Sequence, residues 1–454
     1  MEERIGPARP GLSEVRIEGL YGASGEIIIP TKAQRASNPI SLLYGDNGSG
    51  KTTVLKLIYA ALASEKNSGH RGYLGRANFR QLKAIFEDGQ VIEVKKEESG
   101  WTSTYTFEFH GPRAEHIFDI RLAEGGNVPV SLNPEIARLT ELLRLISPPL
   151  VFLSDYRTIQ SCNTGWEIGE LNYKEARSSF DPRVAWDEWE DRQTHRPYGS
   201  KAGIEALSTL ALRKLLDLGQ RSLLSSAMSN NTRANTEAGQ IYLQIAKTIT
   251  NPGFGRVKSN ISVEKGTLLD RLTRLMSASE LQARFGLMDV KSIPDLISIL
   301  QATSDEQSLS ALIPIIQPYV ASIEQRIEAN ANLAFVMQTF SDKMNTYFRR
   351  KSMTLNVFSP FVISNERGYQ LDVSMLSSGE KHLLSMFTVA LLSREPNTTV
   401  LIDEPEISLN YIWQRNIAQS LLDISGGQTQ FVLASHSFEV ISAFRENVVN
   451  ISDI

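Results

Sequence analysis

One stretch near the start of the chain has the residue types and spacing of a phosphate-binding loop. It reads Gly45-x-x-x-x-Gly50-Lys51-Thr52, between an apolar strand pattern at 40–43 and a helical pattern that begins at Thr52. Glycines let backbone N–H groups point at a phosphate, and the following helix adds its positive dipole end. The alternative is an ordinary Gly/Asn/Asp turn that caps a helix. The predicted ATP contacts are Asn47, Gly48, Ser49, Gly50, Lys51, Thr52 and Thr53.

Two adjacent acidic residues late in the chain could complete this chemistry. Asp403 and Glu404 directly follow a buried strand pattern at 400–402. In phosphoryl transfer, Lys51 would bridge the β- and γ-phosphates, while the Thr52 hydroxyl and Asp403 would hold Mg²⁺. Glu404 could then polarise the attacking water. Two acidic residues after a strand are by themselves more often a helix cap, so the prediction depends on the phosphate-binding loop in the same chain.

Two further segments of the chain contain side chains that could contact a triphosphate. The segment Leu-Ser-Ser-Gly-Glu-Lys at 376–381 opens a helical pattern, and Ser377 and Glu380 have the spacing of a capping box. A capped helix N-terminus is also a site that binds anions, so both interpretations of Ser377 are compatible. A strand pattern at 431–433 leads to His436.

The elements around these groups indicate an α/β protein. Strand patterns at 15–17 and 26–29, a hairpin of 79–86 with 91–95, and an alternating strand around 105–109 predict an antiparallel sheet beside the nucleotide-binding sheet. A helix at 135–146 precedes a buried strand at 150–153. The residues that emerge from this strand, Ser154, Asp155 and Arg157, are candidates for a second contact to Mg²⁺ or γ-phosphate.

The middle of the chain is different in character. Residues 160–200 are polar and contain Trp166, Trp186 and Trp189, which either anchor a protein partner or pack the loop down. Helical patterns follow at 204–228 and 237–249. We expect the helical pattern to be interrupted at 251–253 and at Pro314. The longest helix is predicted to begin after Pro318 and to extend about 45 Å. Strand patterns return at 352. The predicted domain boundaries give an N-terminal part at 1–160, a mostly helical insertion at 161–350 and a C-terminal part at 351–454.

Composition narrows the class of protein. The chain of 454 residues has a formal net charge of −4, so no overall basic signature advertises nucleic-acid binding. A single cysteine, Cys162, excludes an internal disulfide framework and a multi-cysteine zinc site. No signal-peptide pattern and no run of roughly 18 apolar residues is present. We therefore expect a cytoplasmic protein that does not enter the membrane.

Together, these motifs resemble those of ABC-type ATPase heads. The segment 376–380 is similar to the family's signature, 403–410 to its combined Walker B motif and D-loop, and His436 to its switch histidine. The resemblance implies a P-loop NTPase head of the ABC type, with a mixed or parallel sheet, an antiparallel β subdomain and a helical insertion. In that family two heads pair, so that Ser377, Ser378 and Gly379 would contact the γ-phosphate on the other protomer's P-loop. It implies a homodimer or a higher homo-oligomer.

The distance along the chain from the P-loop to the signature is similar to that in SMC, RecF and OLD-like ATPases. The sequence Asp-Glu-Pro-Glu at 403–406 resembles the OLD-like group most. The chain ends soon after His436, without the Toprim nuclease domain of OLD nucleases, so it looks like the stand-alone ATPase subunits of anti-phage systems of the PARIS type. This resemblance implies a separate Toprim-like effector and a phage-encoded trigger. The chain departs from the wider family in lacking an obvious Q-loop glutamine after 150–153 and in carrying Asn410.

Two other classes remain open. A RecF- or SMC-like clamp would use the dimer and its arm to grip DNA during repair, although the mild acidity and short arm favour the defence role. A degenerate nucleotide-binding scaffold without turnover is disfavoured, because Lys51, Asp403, Glu404 and His436 are all present.

Overall fold

The computed structural model describes residues 9–31, 39–65, 69–98, 100–122, 134–155, 157–166, 201–250, 260–289 and 291–451. Its contacts divide the chain into two compact units. Unit 1 combines Met1–Leu215 with Asp372–Ile454, and unit 2 is Leu216–Leu371. The functional divisions at 160/161 and 350/351 stay predictions.

The strands are numbered along the chain. They are β1 Leu12–Glu18, β2 Glu26–Pro30, β3 Ile40–Tyr44, β4 Gln81–Phe86, β5 Val91–Lys95, β6 Thr104–His110, β7 His116–Arg121, β8 Leu150–Leu153, β9 Ile159–Cys162, β10 Lys351–Asn356, β11 Ser359–Asn365, β12 Gln370–Leu371, β13 Thr399–Asp403, β14 Gln430–Ser435 and β15 Val448–Asn450. The helices are α1 Lys51–Leu62, α2 His70–Arg76, α3 Pro134–Ile146, α4 Lys201–Ile249, α5 Ile261–Arg284, α6 Ser292–Ala302, α7 Glu306–Tyr347, α8 Ser378–Leu392, α9 Tyr411–Ser425 and α10 Phe438–Ser442.

The central sheet of unit 1 positions the candidate site. Its strand order is β15-β3-β14-β13-β8-β9, and every pair is parallel except β8 with β9. All residues of β13 and β14 are buried. Continuous apolar runs of this kind are typical of parallel strands that are covered on both faces. The structure therefore confirms the predicted strands at 40–43, 150–153, 400–402 and 431–433.

The second sheet of unit 1 is antiparallel throughout, in the order β2-β1-β4-β5-β6-β7. In β6, Tyr105, Phe107 and Phe109 are buried and alternate with more exposed residues. These aromatic side chains belong to the same hydrophobic core as α1, which contributes Val54 and Tyr59 among others. The predicted antiparallel subdomain and α/β class are thus confirmed.

Unit 2 contains most of α4, the helices α5–α7 and the antiparallel sheet β10-β11-β12. Its helical core includes Leu272, Ile293, Ile313 and Val320. The expectation that α7 starts after Pro318 is wrong. It begins at Glu306, where the Asp305 side chain accepts a hydrogen bond from Ser308 N, and its 42 residues extend about 63 Å.

Both prolines of α7 lie inside the helix. Each proline removes one backbone hydrogen bond, but the apolar side chains around Pro314 and Pro318 are packed in the core. Ile313, Ile316 and Val320 are all buried there. Packing of this face therefore outweighs the local cost of the prolines.

Two other local expectations are corrected. The glycines at 69–75 predict a break after the first helix, but His70–Arg76 form helix α2. The two helical segments predicted at 204–228 and 237–249 belong to the single helix α4. Of the two alternatives for Trp166, packing is confirmed, since the side chain is buried and its indole Nε1 donates to Leu392 O at 3.2 Å. Trp186 and Trp189 lie outside the described residues. Among the described helices, none combines the length and apolar character that a membrane span requires.

Candidate nucleotide site

The carboxyl ends of four neighbouring parallel strands bring the predicted motifs together. Ser435 in β14 is paired with Tyr44 in β3, and Asp403 in β13 is paired with Ala434 in β14. Ile402 is paired with Leu153, at the end of β8. The phosphate-binding loop, the Asp403-Glu404 pair, His436 and the loop after β8 therefore leave one edge of the sheet. This edge is where open α/β sheets bind ligands.

The loop between β3 and α1 has the backbone that a phosphate cradle needs. Gly48 and Gly50 have φ angles of 86° and 96°, which non-glycine residues rarely adopt. The Lys51 ammonium donates to Gly45 O at 2.8 Å and to Asp46 O at 3.0 Å, so the buried side chain folds over the loop. Among the described residues, the buried Ser49 hydroxyl has no hydrogen-bonding partner. The loop thus presents a cation and a free hydroxyl.

Tyr21, between β1 and β2, contacts the same loop and was missed by sequence reasoning. Its hydroxyl lies 2.7 Å from Thr53 Oγ1. A Cβ atom at Gly50 would lie 2.8 Å from the Tyr21 ring, so a larger residue there would displace the ring in addition to straining the backbone. The sequence signal was an aromatic residue within a glycine-rich turn. Tyr21 has a positive φ of 54° and an exposed side chain.

Asp403 is a fully buried carboxylate at the end of β13, and in the described part of the chain neither of its oxygens has a hydrogen-bonding partner. Burial raises the pKa of Asp403 to about 6, and the nearby Thr52 hydroxyl offsets part of that rise. Asp155, in the loop after β8, is close enough to raise this pKa further. A buried carboxylate beside a threonine hydroxyl is a set of oxygen ligands that suits a Mg²⁺ ion.

Glu404 and His436 form a close polar contact at the centre of the site. Glu404 Oε2 lies 2.5 Å from His436 Nδ1. Burial, and then the neighbouring Glu406 carboxylate, raise the pKa of Glu404 to about 7, while His436 lowers it in part. Glu404 also has a φ of 49°, and residues in this left-handed region are concentrated at functional sites. A carboxylate with a pKa near neutrality is suited to accept a proton from water.

The signature residues form the capped start of α8. The Ser377 hydroxyl accepts a hydrogen bond from Glu380 N at 3.3 Å, and Glu380 Oε2 accepts one from Ser377 N at 2.7 Å. The predicted capping box is therefore confirmed. Gly379 lies so close to the D-loop that a Cβ atom there would be 2.5 Å from Ser408 O. The contacts of Ser377, Ser378 and Gly379 with a nucleotide stay a prediction.

The loop after β8 separates its three candidate residues. Ser154 Oγ hydrogen-bonds to Thr158 Oγ1 at 2.7 Å, and Asp155 interacts electrostatically with Asp403. The Arg157 guanidinium instead donates to the Ser408 hydroxyl at 2.9 Å. Asp155 is thus the candidate that lies near Asp403, and Arg157 connects this loop to Ser408 in the segment 403–410. Asn410 caps α9 by accepting from Trp413 N at 3.1 Å.

The chain is similar to known proteins in sequence and in structure. A family model described as "AAA domain, putative AbiEii toxin, Type IV TA system" matches residues 266–442. That segment contains Ser377, Asp403, Glu404 and His436, whereas Lys51 lies outside it. The sequence is 24% identical to a tRNA 2-selenouridine synthase of Proteus mirabilis, over 50% of this chain and 58% of that protein.

A tRNA 2-selenouridine synthase of Photobacterium profundum is 26% identical over 35% of this chain and 44% of its own length. The chain thus spans about half the length of these relatives. Two Smc head domains have similar structures, each at 14% sequence identity. The one from Pyrococcus furiosus, bound to the C-terminal domain of ScpA, has a TM-score of 0.40, with 97% of this chain and 93% of that chain covered. The one from Pyrococcus yayanosii has a TM-score of 0.38, with 97% of this chain and 95% of that chain covered. The matched family and the site geometry support a P-loop ATPase.

Proposed function

We propose that this protein is an ABC-type ATPase that dimerises around Mg-ATP and hydrolyses it slowly. The observation that carries the proposal is the meeting of Lys51, Asp403, Glu404 and His436 at one sheet edge, with Glu404 and His436 2.5 Å apart. Each of these residue types has a defined task in phosphoryl transfer. A scaffold that only binds nucleotide has no need for a carboxylate held against a histidine.

The residues at the site fit a Mg²⁺ ion. Thr52 and Asp403 would hold the ion, since both Asp403 oxygens are buried without a partner among the described residues. When bound, the ion would neutralise negative charge on the β- and γ-phosphates. Lys51 would bind the same phosphates, Glu404 would accept the proton of the attacking water, and His436 would orient Glu404 through their hydrogen bond.

The position of the signature supports the proposed dimer. Ser377, Ser378 and Gly379 lie at a capped helix N-terminus, which is a ready-made anion site. We propose that this N-terminus binds the γ-phosphate held by Lys51 of a second copy. Exposed apolar side chains near the site motifs, Met375 and Phe438, would be covered in such a homodimer or in a higher homo-oligomer.

For the biological role, we propose a sensor or scaffold subunit in bacterial anti-phage defence. It would control a separate effector of the Toprim nuclease class in response to a phage-encoded trigger, as the resemblance to PARIS-type ATPase subunits implies. The description of the matched family, which names a putative toxin of a type IV toxin–antitoxin system, supports a role in this broad area. Copurification of an effector with the tagged chain tests this part.

A second candidate, a DNA clamp, is favoured by one cluster of positive charge in unit 2. Arg349, Arg350 and Lys351 lie at one end of the sheet β10-β11-β12, and the register Lys351 to Asn365 places the turn with Arg367 beside them. Glu366 of the same turn, 3.9 Å from Arg350, offsets part of this charge. Clusters of Arg and Lys side chains bind the phosphate backbone of DNA. The affinity of this cluster for DNA should therefore fall steeply as the salt concentration rises. Weak binding without a salt dependence would leave the defence role as the better proposal.

Turnover of ATP by two variants tests the core of the proposal. Lys51→Ala should lose ATP binding, because the phosphates lose their cation. Glu404→Gln should keep ATP binding, lower hydrolysis by about a hundredfold or more, and accumulate the dimer. Size-exclusion chromatography with light scattering would detect that dimer. Unchanged turnover in Glu404→Gln would remove Glu404 from its proposed role.

A further inference from the structure

A second glutamate follows Glu404 at a distance of two residues and lies deep in the site. Glu406 is 4% exposed, and one of its oxygens, Oε1, accepts three hydrogen bonds. The donors are Ser435 Oγ at 2.6 Å, His436 N at 2.9 Å and Ser437 N at 3.1 Å. A single carboxylate oxygen therefore binds three consecutive residues, Ser435 at the end of β14 and the two loop residues that follow it.

The ring of His436 meets the same carboxylate. Its Nδ1 lies 3.2 Å from Glu406 Oε1 and 2.5 Å from Glu404 Oε2. The side chain of His436 is 49% exposed, so packing alone does not fix the ring. Its position next to Glu404 depends on polar contacts, and Glu406 supplies them to both the backbone and the ring.

The backbone of Glu406 is itself held in a tight turn. Ile407 N donates to Glu404 O at 3.1 Å, and Leu409 N donates to Glu406 O at 3.0 Å. The carboxylate thus projects from a fixed point on one loop to the next. Hydrogen bonds from N–H groups to a carboxylate are about twice as strong as those between neutral groups.

We infer that Glu406 is a positioning residue, which holds the His436 loop so that the His436 ring stays against Glu404. This inference rests on the proposed ATPase function and adds a residue to it. Glu406 acts through His436, and its loss should therefore change turnover more than nucleotide affinity. A residue that served stability alone would lack this link to His436.

Two substitutions separate the roles of the acceptor oxygen and of the charge. Glu406→Leu removes the acceptor for all three donors, whereas Glu406→Gln keeps a carbonyl oxygen of similar reach. We expect Glu406→Leu to lower kcat for ATP by about tenfold or more with less than about a twofold change in KM, and Glu406→Gln to keep at least about a third of kcat.

Glu439→Leu is the matched control, since Glu439 accepts from the Ser437 hydroxyl, at 3.1 Å, rather than from the backbone of the His436 loop. It should leave kcat within about twofold.

A double-mutant cycle tests the path through His436. In a His436→Ala background, Glu406→Leu should cost less than about a further twofold in kcat, because its route of action is already lost. An undiminished tenfold loss in that background would overturn the inference. A tenfold loss in Glu406→Gln with normal amide protection would also overturn it.

Hydrogen exchange gives a readout that does not need turnover. The amides of His436 and Ser437 should exchange faster in Glu406→Leu than in the wild type, and Glu406→Gln should retain protection. Equal protection in all three proteins would contradict the inference. If the wild type hydrolyses no ATP, the proposed function fails, while the exchange data still decide whether Glu406 holds this loop. If Glu406→Leu does not fold, Glu406→Ala, which also removes the acceptor oxygen, carries both measurements.

Discussion

The Arg157 guanidinium donates a 2.9 Å hydrogen bond to the Ser408 hydroxyl, across 251 residues of sequence. Both residues have left-handed backbones, with φ angles of 63° and 64°. The loop after β8 is thereby joined to the D-loop, which also packs against Gly379 at the start of α8. A change at the β8 loop can therefore reach the signature helix through Ser408.

We predict that Arg157→Ala lowers kcat for ATP by about three- to tenfold. The hydrogen bond to Ser408 should contribute about 1 kcal/mol, which corresponds to roughly a fivefold change in rate. Steady-state ATPase assays measure the effect. Arg144→Ala, which changes an exposed arginine of α3, should have no effect. Equal rates in both variants would remove the Arg157 contact from the account.

Removing the buried charge of Asp403 should stabilise the metal-free protein. The pKa of Asp403 is raised to about 6 from an ordinary value of 3.8, so the folded state binds more protons than the unfolded state between these values. Stability therefore falls as the pH rises through this window. At pH 8, Asp403→Asn should raise the free energy of unfolding by up to about 3 kcal/mol, since each pKa unit corresponds to about 1.4 kcal/mol.

Urea unfolding at pH 8 and at pH 4, without and with Mg²⁺, measures this effect. The gain from Asp403→Asn should be much smaller at pH 4, where the folded-state carboxyl is mostly protonated. Mg²⁺ with nucleotide should stabilise the wild type more than the variant. A variant that is less stable than the wild type at pH 8 without metal would contradict the prediction.

Gly379→Ala should disturb the contact between the signature and the D-loop. The new Cβ atom would lie 2.5 Å from Ser408 O, and backbone atoms cannot give way cheaply. We expect a loss of turnover of about tenfold or more and a lower melting temperature, measured by ATPase assay and calorimetry. Gly266→Ala in α5 is the control, because open space surrounds it. It should gain about 0.5–1 kcal/mol of stability, and a similar loss in both variants would refute the explanation.

Local patterns in the sequence predicted the local structure of much of the candidate site. The strand, glycine loop and helix around Lys51, the acidic pair at the end of β13 and the capping box of Ser377 each depend on neighbours within a few residues. The contact of Arg157 with Ser408, and that of Glu406 with the His436 loop, depend on which loops the sheet order brings together. No local pattern contains that information.

The errors about the fold have a similar origin. Pro314 and Pro318 predict a helix break from local preference, but burial of the α7 face in the unit 2 core overrides it. For Trp166 the polar neighbours in sequence left two alternatives open, partner binding or packing. The contact that decides between them, a hydrogen bond to Leu392 O, is made with a residue remote in the chain.

In the proposed dimer, each nucleotide is bound by Lys51 of one chain and by Ser377 of the other. The structure of Glu404→Gln with Mg-ATP tests it most directly, since this variant should hold the dimer before hydrolysis. We predict two nucleotides per dimer, each with its γ-phosphate within hydrogen-bonding distance of Ser377 from the opposite copy. A nucleotide-bound structure in which Ser377 faces solvent in every assembly would contradict the account.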